Sequence, residues 1–249
     1  MTNEEKFMFD LEGYIVIKGV LTADEVAEMN AIADLVFAPK AGEELDRRES
    51  RVTRWGEPFK NLIDQPKILP YLIELLGPKV RLDHDYCIFM TQGGARGGLH
   101  GGPDVVGDHW YKYRDGVMRN GLTVVTFFLT HAAEGDGGFA CIPGSHKSNL
   151  LRSIPQEVRN YERKAHYVVQ PAVEAGDALI FTEALVHGTM PWRAKHERRA
   201  LLYKYSPGHS AWSGNYYKLE EFDNLTEQQK RLLAPPSIGR RPDVVEASA

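Results

Sequence analysis

Two histidines occupy positions in the sequence where they could bind a metal ion. His100 ends a glycine-rich stretch, residues 93–102, and His187 follows an apolar segment, residues 178–181, that is typical of a buried strand. Neutral imidazole nitrogens are common ligands of divalent transition metals. A lone histidine is more often a surface or core residue, so position has to discriminate among the nine histidines of the chain. On position, these two are the candidate metal ligands.

The motifs of several other enzyme classes are absent. The sequence has no Gly-x-Ser-x-Gly elbow, no Walker-type Gly-Lys-Ser/Thr loop, no His-Glu-x-x-His helix and no dinucleotide-binding fingerprint. The glycine-rich stretch does not open a helix, as a phosphate-binding loop would. Its six glycines instead allow close approach of the backbone to another group, or movement of the loop.

The first 78 residues contain the signals of one strand and two helices. Residues 13–20 are rich in β-branched side chains and predict a strand. Thr22 and Glu25 form a capping box at the start of a helix. That helix carries apolar residues at helical spacing: Val26, Met29, Ile32, Ala33 and Val36. A second helix is predicted over residues 70–76 and ends at Gly77.

Strands and turns dominate from residue 79 onward. One long alternating strand is predicted over residues 80–90, with Leu82, His84, Tyr86, Ile88 and Met90 on one face. Turn signals separate the later candidates, which are residues 122–129, 138–142, 166–169, 178–181 and 200–205. The pattern predicts a mostly β fold, a double-stranded β-helix (a jelly roll or cupin-like barrel) buttressed by N-terminal helices.

A single domain over residues 1–249 is expected from the length and from the lack of repeats or linkers. We divide it into a helical buttress with the first strand (1–78), a jelly-roll core (79–207) and a C-terminal tail (208–249), to which we assign no chemistry. That tail has one amphipathic stretch near residues 225–233.

Composition excludes some classes of function. A net charge of −4 argues against general nucleic-acid binding, and no apolar run reaches membrane-spanning length. The acidic N-terminus lacks the apolar segment of a secretory signal. Cys87 and Cys141 lie far apart and form no metal or redox motif. A cytoplasmic protein with reduced, buried thiols and no membrane or nucleic-acid partner is therefore expected.

The ordered set of His100, residues 143–147 (Pro-Gly-Ser-His-Lys), His187 and Arg198 resembles the phytanoyl-CoA dioxygenase family of iron(II)/2-oxoglutarate oxygenases. The opening residues 9–16, which precede a capped helix, resemble that family as well. The resemblance covers roughly residues 7–207. No single motif is decisive, but the order and spacing together are fairly specific.

The resemblance implies a set of cofactors and a role for each residue. Fe(II) would be bound by His100 and His187, and the reaction would consume 2-oxoglutarate and O2. Arg198 would pair with the C5 carboxylate of 2-oxoglutarate, since a planar guanidinium suits a bidentate carboxylate contact. Thr189 could add a hydroxyl hydrogen bond to the same carboxylate.

Arg198 has two alternatives. It could instead form a surface ion pair with Glu197, or the anchor could be the adjacent Arg199 if the register is wrong by one residue. Because side chains alternate along a strand, only one of the two arginines can enter the barrel.

One ligand of the family pattern is missing. The non-haem iron site uses two histidines and one carboxylate, and the carboxylate normally stands two residues after the first histidine. Here that position is Gly102, and none of the nine histidines has Asp or Glu two places later.

Three interpretations of this gap are open. In the first, Gly102 leaves room for chloride on the iron, as in the halogenases of this superfamily, whose motif is His-x-Ala or His-x-Gly. In the second, Asp104, Asp108 or a water fills the position and the enzyme hydroxylates. In the third, the domain is a non-catalytic binding module. We favour the halogenase, because a degenerate site would not need to retain His187, Arg198 and the glycine-rich loop.

The substrate is expected to be a small anionic molecule. The segment that follows the metal loop mixes aromatic and cationic side chains, which could stack on a ring and pair with an anion, although an ordinary surface lid is an equal alternative: His109, Trp110, Tyr111, Lys112 and Arg114. The pattern resembles nucleotide halogenases of nucleoside-antibiotic pathways, which chlorinate the sugar of an adenine deoxynucleotide.

Overall fold

A computed structural model describes residues 1–39, 45–103 and 107–245 of the chain. Thr2, Thr22 and Thr226 each close a capping box at the start of a helix, so the threonine hydroxyls satisfy amides that have no partner within the helix. The α-helices of the described ranges are α1 Asn3–Glu12, α2 Ala23–Val36, α3 Glu57–Lys60, α4 Leu69–Leu76, α5 Gln156–Arg159 and α6 Glu227–Leu233.

The strands form two main antiparallel sheets and one hairpin. Their bounds are β1 Tyr14–Ile17, β2 Asp46–Ser50, β3 Arg81–Met90, β4 Arg96–His100, β5 Tyr111–Arg114, β6 Val117–Asn120, β7 Thr123–Phe128, β8 Gly138–Cys141, β9 Ala178–Thr182, β10 His187–Met190 and β11 Arg198–Ser206. The larger sheet has the order β1-β9-β7-β11-β3-β2, the smaller has the order β4-β10-β8, and β5 pairs with β6. The fold is thus mostly β with helices, cupin-like, as the sequence predicts.

The larger sheet has two buried faces because helices cover the one that points away from the barrel. Along β11, Ala200 and Leu202 pack into the barrel interior, while Leu201 and Tyr203 pack towards the helical layer. This alternation is the ordinary geometry of a strand. It places every second side chain of β11 in the cavity between the sheets.

Two tyrosine hydroxyls join the sheet to the helical layer. Tyr203 donates to the carbonyl oxygen of Phe59 (2.8 Å), and Tyr205 donates to that of Ile63 (2.9 Å). Both side chains are fully buried. These bonds hold α3 and the residues that follow it against β11, the strand that also carries Arg198.

The predicted helices and most predicted strands are present, with shifted ends. The helix capped by Thr22 and Glu25 is α2, and the helix predicted at 70–76 is α4. The strand predicted at 166–169 is wrong, since only Val169 pairs there, as an isolated bridge with Cys141. The face predicted for the 80–90 strand is also wrong at Leu82, which packs with the helical layer because a bulge interrupts the pairing of β3 with β11.

Several elements were not foreseen from the sequence. Helix α1, the hairpin of β5 and β6, and strand β2 are additions. Strand β4 lies inside the stretch interpreted as a glycine-rich loop. Strands β1 and β2 both belong to the larger sheet, so residues before 79 contribute to the barrel as well as to its buttress.

Cys87 and Cys141 are both buried and free of disulfide bonds. No helix within the described ranges has the length and apolar character needed to cross a bilayer.

We predict that Tyr205→Phe lowers the free energy of unfolding by about 1–3 kcal/mol, because it leaves buried carbonyl oxygens without their donor. Tyr113→Phe, at an exposed position on β5, is the matched control and should change stability little. Urea unfolding followed by circular dichroism measures both. Equal midpoints for the two variants would contradict the role of the Tyr205 hydroxyl.

Candidate active site

His100 and His187 face each other across the pairing of β4 with β10, where they are register partners. Their ring centroids lie 4.5 Å apart. Nδ1 of His100 is 2.9 Å from the carbonyl oxygen of Gly98, and Nδ1 of His187 is 2.8 Å from that of Leu185. Because a carbonyl only accepts, Nδ1 carries the proton in each ring and the Nε2 lone pair is left to bind a metal.

The environment of His187 keeps its ring neutral. The side chain is buried, and Phe181 lies 4.6 Å from it between ring centroids. Burial lowers the pKa of His187 to about 4, although the nearby carboxylate of Glu183 acts in the opposite direction. A neutral imidazole is the form that binds metal.

Gly101 explains how the chain turns away directly after His100. Its φ is +83°, a region that favours glycine. A Cβ at this position would lie 2.6 Å from the carbonyl oxygen of Leu185 and 3.2 Å from Nδ1 of His187. The two metal-ligand segments can approach this closely only because residue 101 has no side chain.

Gly102, the position where the family pattern has its carboxylate, also has a backbone reason to be glycine. It is buried and its φ is +118°, which an L side chain rarely adopts. Glycine at 102 is therefore required by the turn whether or not a halide binds beside it.

Asp104 and Asp108 are the two aspartates that could replace the missing carboxylate ligand. Asp104 lies outside the described residues. Asp108 is described, and its carboxylate accepts hydrogen bonds from the hydroxyls of Ser210 (2.7 Å) and Ser206 (3.3 Å). Burial raises the pKa of Asp108. Both of its oxygens are thus engaged by serines.

Arg198 points into the barrel and Arg199 points away from it. The Arg198 guanidinium is buried, and its Nε has no hydrogen-bond partner within the described part of the chain. Burial lowers its pKa to about 10. Arg199 pairs with Glu197 (2.7 Å) and Asp34 (2.6 Å). Arg198 is the arginine available to a ligand in the cavity.

Gly138 on β8 makes the space for this guanidinium. A Cβ there would lie 2.8 Å from Nε of Arg198, and its φ of +81° already favours glycine. Any larger residue at position 138 would displace the guanidinium.

The two histidines and Arg198 line one cavity of about 260 Å³, together with Thr189. Its other charged lining residues are Arg48, Glu183 and Lys204. Three cationic side chains against a single carboxylate give the cavity a positive balance, which suits an anionic ligand.

Glu183 is a buried carboxylate next to the histidines, and the sequence search missed it. Its Oε1 accepts from Nζ of Lys204 at 2.6 Å, and its Oε2 lies 3.7 Å from Nε2 of His187 and 3.7 Å from Nε2 of His109. Although burial opposes ionisation, the ammonium group of Lys204 holds the pKa of Glu183 at about 2. The family pattern places the carboxylate two residues after the first histidine, whereas Glu183 stands four residues before His187.

His109 is the member of the proposed substrate segment that reaches the site. It is buried, neither ring nitrogen has a hydrogen-bond partner among the described residues, and it stacks on Trp212 with centroids 5.2 Å apart. Trp212 belongs to the tail, to which we assigned no chemistry. Only the folded chain brings these two rings together.

The structure does not gather the rest of that segment at the cavity. The Tyr111 hydroxyl donates to Asp10 near the N-terminal helix, and Arg114 is exposed beside Asp115. Lys112 lies over the ring of Trp110. The β5–β6 hairpin carries Tyr111, Lys112 and Arg114 to other parts of the surface, so a role for them in substrate binding stays a prediction.

The residues present fit iron(II) and 2-oxoglutarate. Two neutral Nε2 atoms suit a divalent transition metal. A buried guanidinium with a free Nε and a positive cavity suit a dicarboxylate. The buried Nε of Arg198 has no hydrogen-bond partner among the described residues, and a carboxylate ligand in the cavity would supply one.

Comparisons with known proteins agree with this geometry. The model of the phytanoyl-CoA dioxygenase (PhyH) family matches residues 9–200. A curated relative, the probable alpha-ketoglutarate-dependent hypophosphite dioxygenase of Stutzerimonas stutzeri, is 23% identical over 262 residues, spanning 91% of this chain and 86% of the relative.

Solved structures share the fold. HygX from Streptomyces hygroscopicus, with nickel and 2-oxoglutarate bound, is 24% identical with a TM-score of 0.74, covering 88% of this chain and 91% of HygX. The non-heme alpha ketoglutarate dependent carbocyclase SnoK from nogalamycin biosynthesis is 17% identical with a TM-score of 0.65, covering 84% and 85%. The chain belongs to the phytanoyl-CoA dioxygenase family of non-haem iron(II)- and 2-oxoglutarate-dependent oxygenases.

Proposed function

We propose that this enzyme oxidises a C–H bond of a small anionic molecule, with iron(II) bound by His100 and His187 and 2-oxoglutarate anchored by Arg198. The observation that carries the proposal is the convergence on a single cavity of two imidazoles whose Nδ1 atoms face carbonyl oxygens and one buried guanidinium whose Nε has no hydrogen-bond partner among the described residues. When bound, the iron and 2-oxoglutarate supply O2 activation and removal of hydrogen from the substrate.

The side chains of the cavity divide this work. The carbonyl oxygens of Gly98 and Leu185 hold the two imidazole rings in one tautomer and orientation. Arg198 binds one carboxylate of 2-oxoglutarate, and the Thr189 hydroxyl adds a hydrogen bond to it. The rings of Phe139 and Phe181 pack beside His187 and make this side of the cavity apolar.

Hydroxylation is the outcome that the site supports best. A halide would restore a negative charge lost with the family carboxylate, but Glu183 already places a buried carboxylate 3.7 Å from His187. The site therefore already contains a carboxylate beside the histidines, in addition to the position left by Gly102. The backbone of Gly102 also accounts for the glycine without one.

Halogenation is the second candidate, and chloride would then be an additional cofactor. The observation in its favour is the glycine that stands two residues after His100 in place of a carboxylate. A side chain that is absent leaves volume which an anion could occupy.

The substrate class is proposed from the charge of the cavity. Lys204 is paired with Glu183, so Arg48 is the cavity cation that remains after Arg198 has bound 2-oxoglutarate, and it favours a substrate with a carboxylate, phosphate or similar group. HygX has been solved with hygromycin B bound, and SnoN is an epimerase from nogalamycin biosynthesis. A natural-product intermediate or an anionic metabolite, such as a nucleotide, therefore belongs in the first screen.

We predict that anaerobic reconstitution with iron(II) and 2-oxoglutarate, followed by air and candidate anionic substrates, gives succinate and a product heavier by one oxygen. The reaction is run with and without chloride, and products are weighed by mass spectrometry. A chlorine isotope pattern in the product would contradict hydroxylation and identify the enzyme as a halogenase. A wild-type protein that binds neither iron nor 2-oxoglutarate would refute both and favour a non-catalytic binding module.

We predict that His100→Ala and His187→Ala each remove most iron affinity, because each loses an imidazole ligand. His209→Ala, at an exposed position in the tail, is the control and should bind iron like the wild type. Anaerobic titration measures all three. Wild-type affinity in either of the first two variants would refute the role of that histidine.

We predict that Arg198→Gln raises the dissociation constant for 2-oxoglutarate at least about 30-fold, the lower end of the cost of breaking a buried charge pair. Arg199→Gln is the matched control, since that side chain faces Glu197 and Asp34. Both are titrated with 2-oxoglutarate in the presence of iron(II), while following the charge-transfer absorption of the complex. The same loss in both variants would indicate a general structural defect.

A further inference from the structure

A carboxylate oxygen of Glu183 and a ring nitrogen of His187 lie close together where both side chains are buried. The Nδ1 proton of His187 is committed to the carbonyl oxygen of Leu185, so its Nε2 presents a lone pair. Oε2 of Glu183 lies 3.7 Å from that nitrogen. Two electron-rich atoms this close in a buried site repel each other unless a cation lies between them.

The spacing of these atoms suits a shared metal ion. Two ligand atoms that are each about 2.1 Å from one metal are separated by at most about 4.2 Å. The 3.7 Å between Oε2 of Glu183 and Nε2 of His187 is inside this limit. His100 is the neighbouring imidazole, with its ring centroid 4.5 Å from that of His187.

We propose that Glu183 is the carboxylate ligand of the iron, supplied from four residues before the distal histidine instead of two residues after the first. The site then has the two histidines and one carboxylate of non-haem iron oxygenases, although Gly102 lacks the usual side chain. The inference rests on the proposed function, since it assumes that His100 and His187 bind the metal.

Lys204 and His109 have defined roles in this arrangement. Nζ of Lys204 binds Oε1 at 2.6 Å and leaves Oε2 for the metal. Carboxylate ligands are usually hydrogen-bonded by such outer partners, which fix their orientation. Nε2 of His109, also 3.7 Å from Oε2, stands ready to donate to the carboxylate from the opposite side.

The alternative is a purely structural ion pair between Glu183 and Lys204. This ion pair accounts for the contact of Oε1 with Lys204, but it does not account for the position of Oε2, 3.7 Å from Nε2 of His187. The two explanations differ in what metal binding requires, so metal affinity separates them without any assay of turnover.

The test is an anaerobic titration with cobalt(II), whose visible spectrum reports its ligands, repeated with iron(II). Every protein carries His131→Ala, because potential ligand atoms of His131, Asp136 and His196 lie within 4.8 Å of one another and could bind the probe. Loss of a residue that only hydrogen-bonds to a metal ligand lowers metal affinity roughly 10–100-fold. Because Glu183 is proposed to bind the metal directly, Glu183→Gln should weaken binding by more than about 100-fold and change the cobalt(II) spectrum.

Two further variants serve as controls. Asp108→Asn alters another buried carboxylate, one held by serines, and should keep wild-type affinity and spectrum. The double variant Glu183→Gln with Lys204→Met removes the unpaired lysine charge that could unfold the single variant. It should be folded by circular dichroism and still fail to gain thermal stability from the metal.

The outcomes separate this inference from the proposed function. If His187→Ala loses cobalt(II) while Glu183→Gln and the double variant bind it like the wild type, the ligand role of Glu183 is overturned and the histidine site stands. If the His131→Ala parent itself binds no cobalt(II) or iron(II), the proposed function fails first. Wild-type affinity with an unchanged spectrum in Glu183→Gln would leave the ion pair as the explanation.

Discussion

The antiparallel register of β10 against β4 is the constraint on which the active site depends. It sets His187 opposite His100, although the two are far apart in the sequence. The register can form only where backbones approach closely, which Gly101 permits at the turn after His100. A shift of one residue would point one imidazole out of the barrel, so the pairing of the smaller sheet also brings together the two proposed metal ligands.

Strand β11 connects the chemistry to the rest of the fold. Its inward side chains include Arg198, which faces the cosubstrate cavity, and Lys204, which binds Glu183. Its outward side chains include Tyr203 and Tyr205, whose hydroxyls hold the helical layer. The helices thus position the cosubstrate anchor by fixing the strand from its other face.

Local signals were enough to predict much of this fold. The capping box of Thr22 and the alternation of buried strands depend on neighbouring residues, and both were found. The position of Glu183 beside His187 depends on how the loop after β9 turns back, and the stacking of Trp212 on His109 joins residues from the tail and the barrel. The sequence shows only that Gly102 lacks the carboxylate of the family pattern. Its positive φ, which favours glycine at this position, is visible only in the structure.

The tail contacts the barrel beside the candidate site through Trp212 and Ser210. Trp212 covers one face of His109, and the hydroxyl of Ser210 holds Asp108. The metal and cosubstrate residues named here lie on the barrel strands and the loop before β10, while this wall beside them is supplied by a segment outside both sheets. A substitution in the tail can therefore change the surroundings of His109 and Asp108 while the strands that carry His100, His187 and Arg198 stay the same.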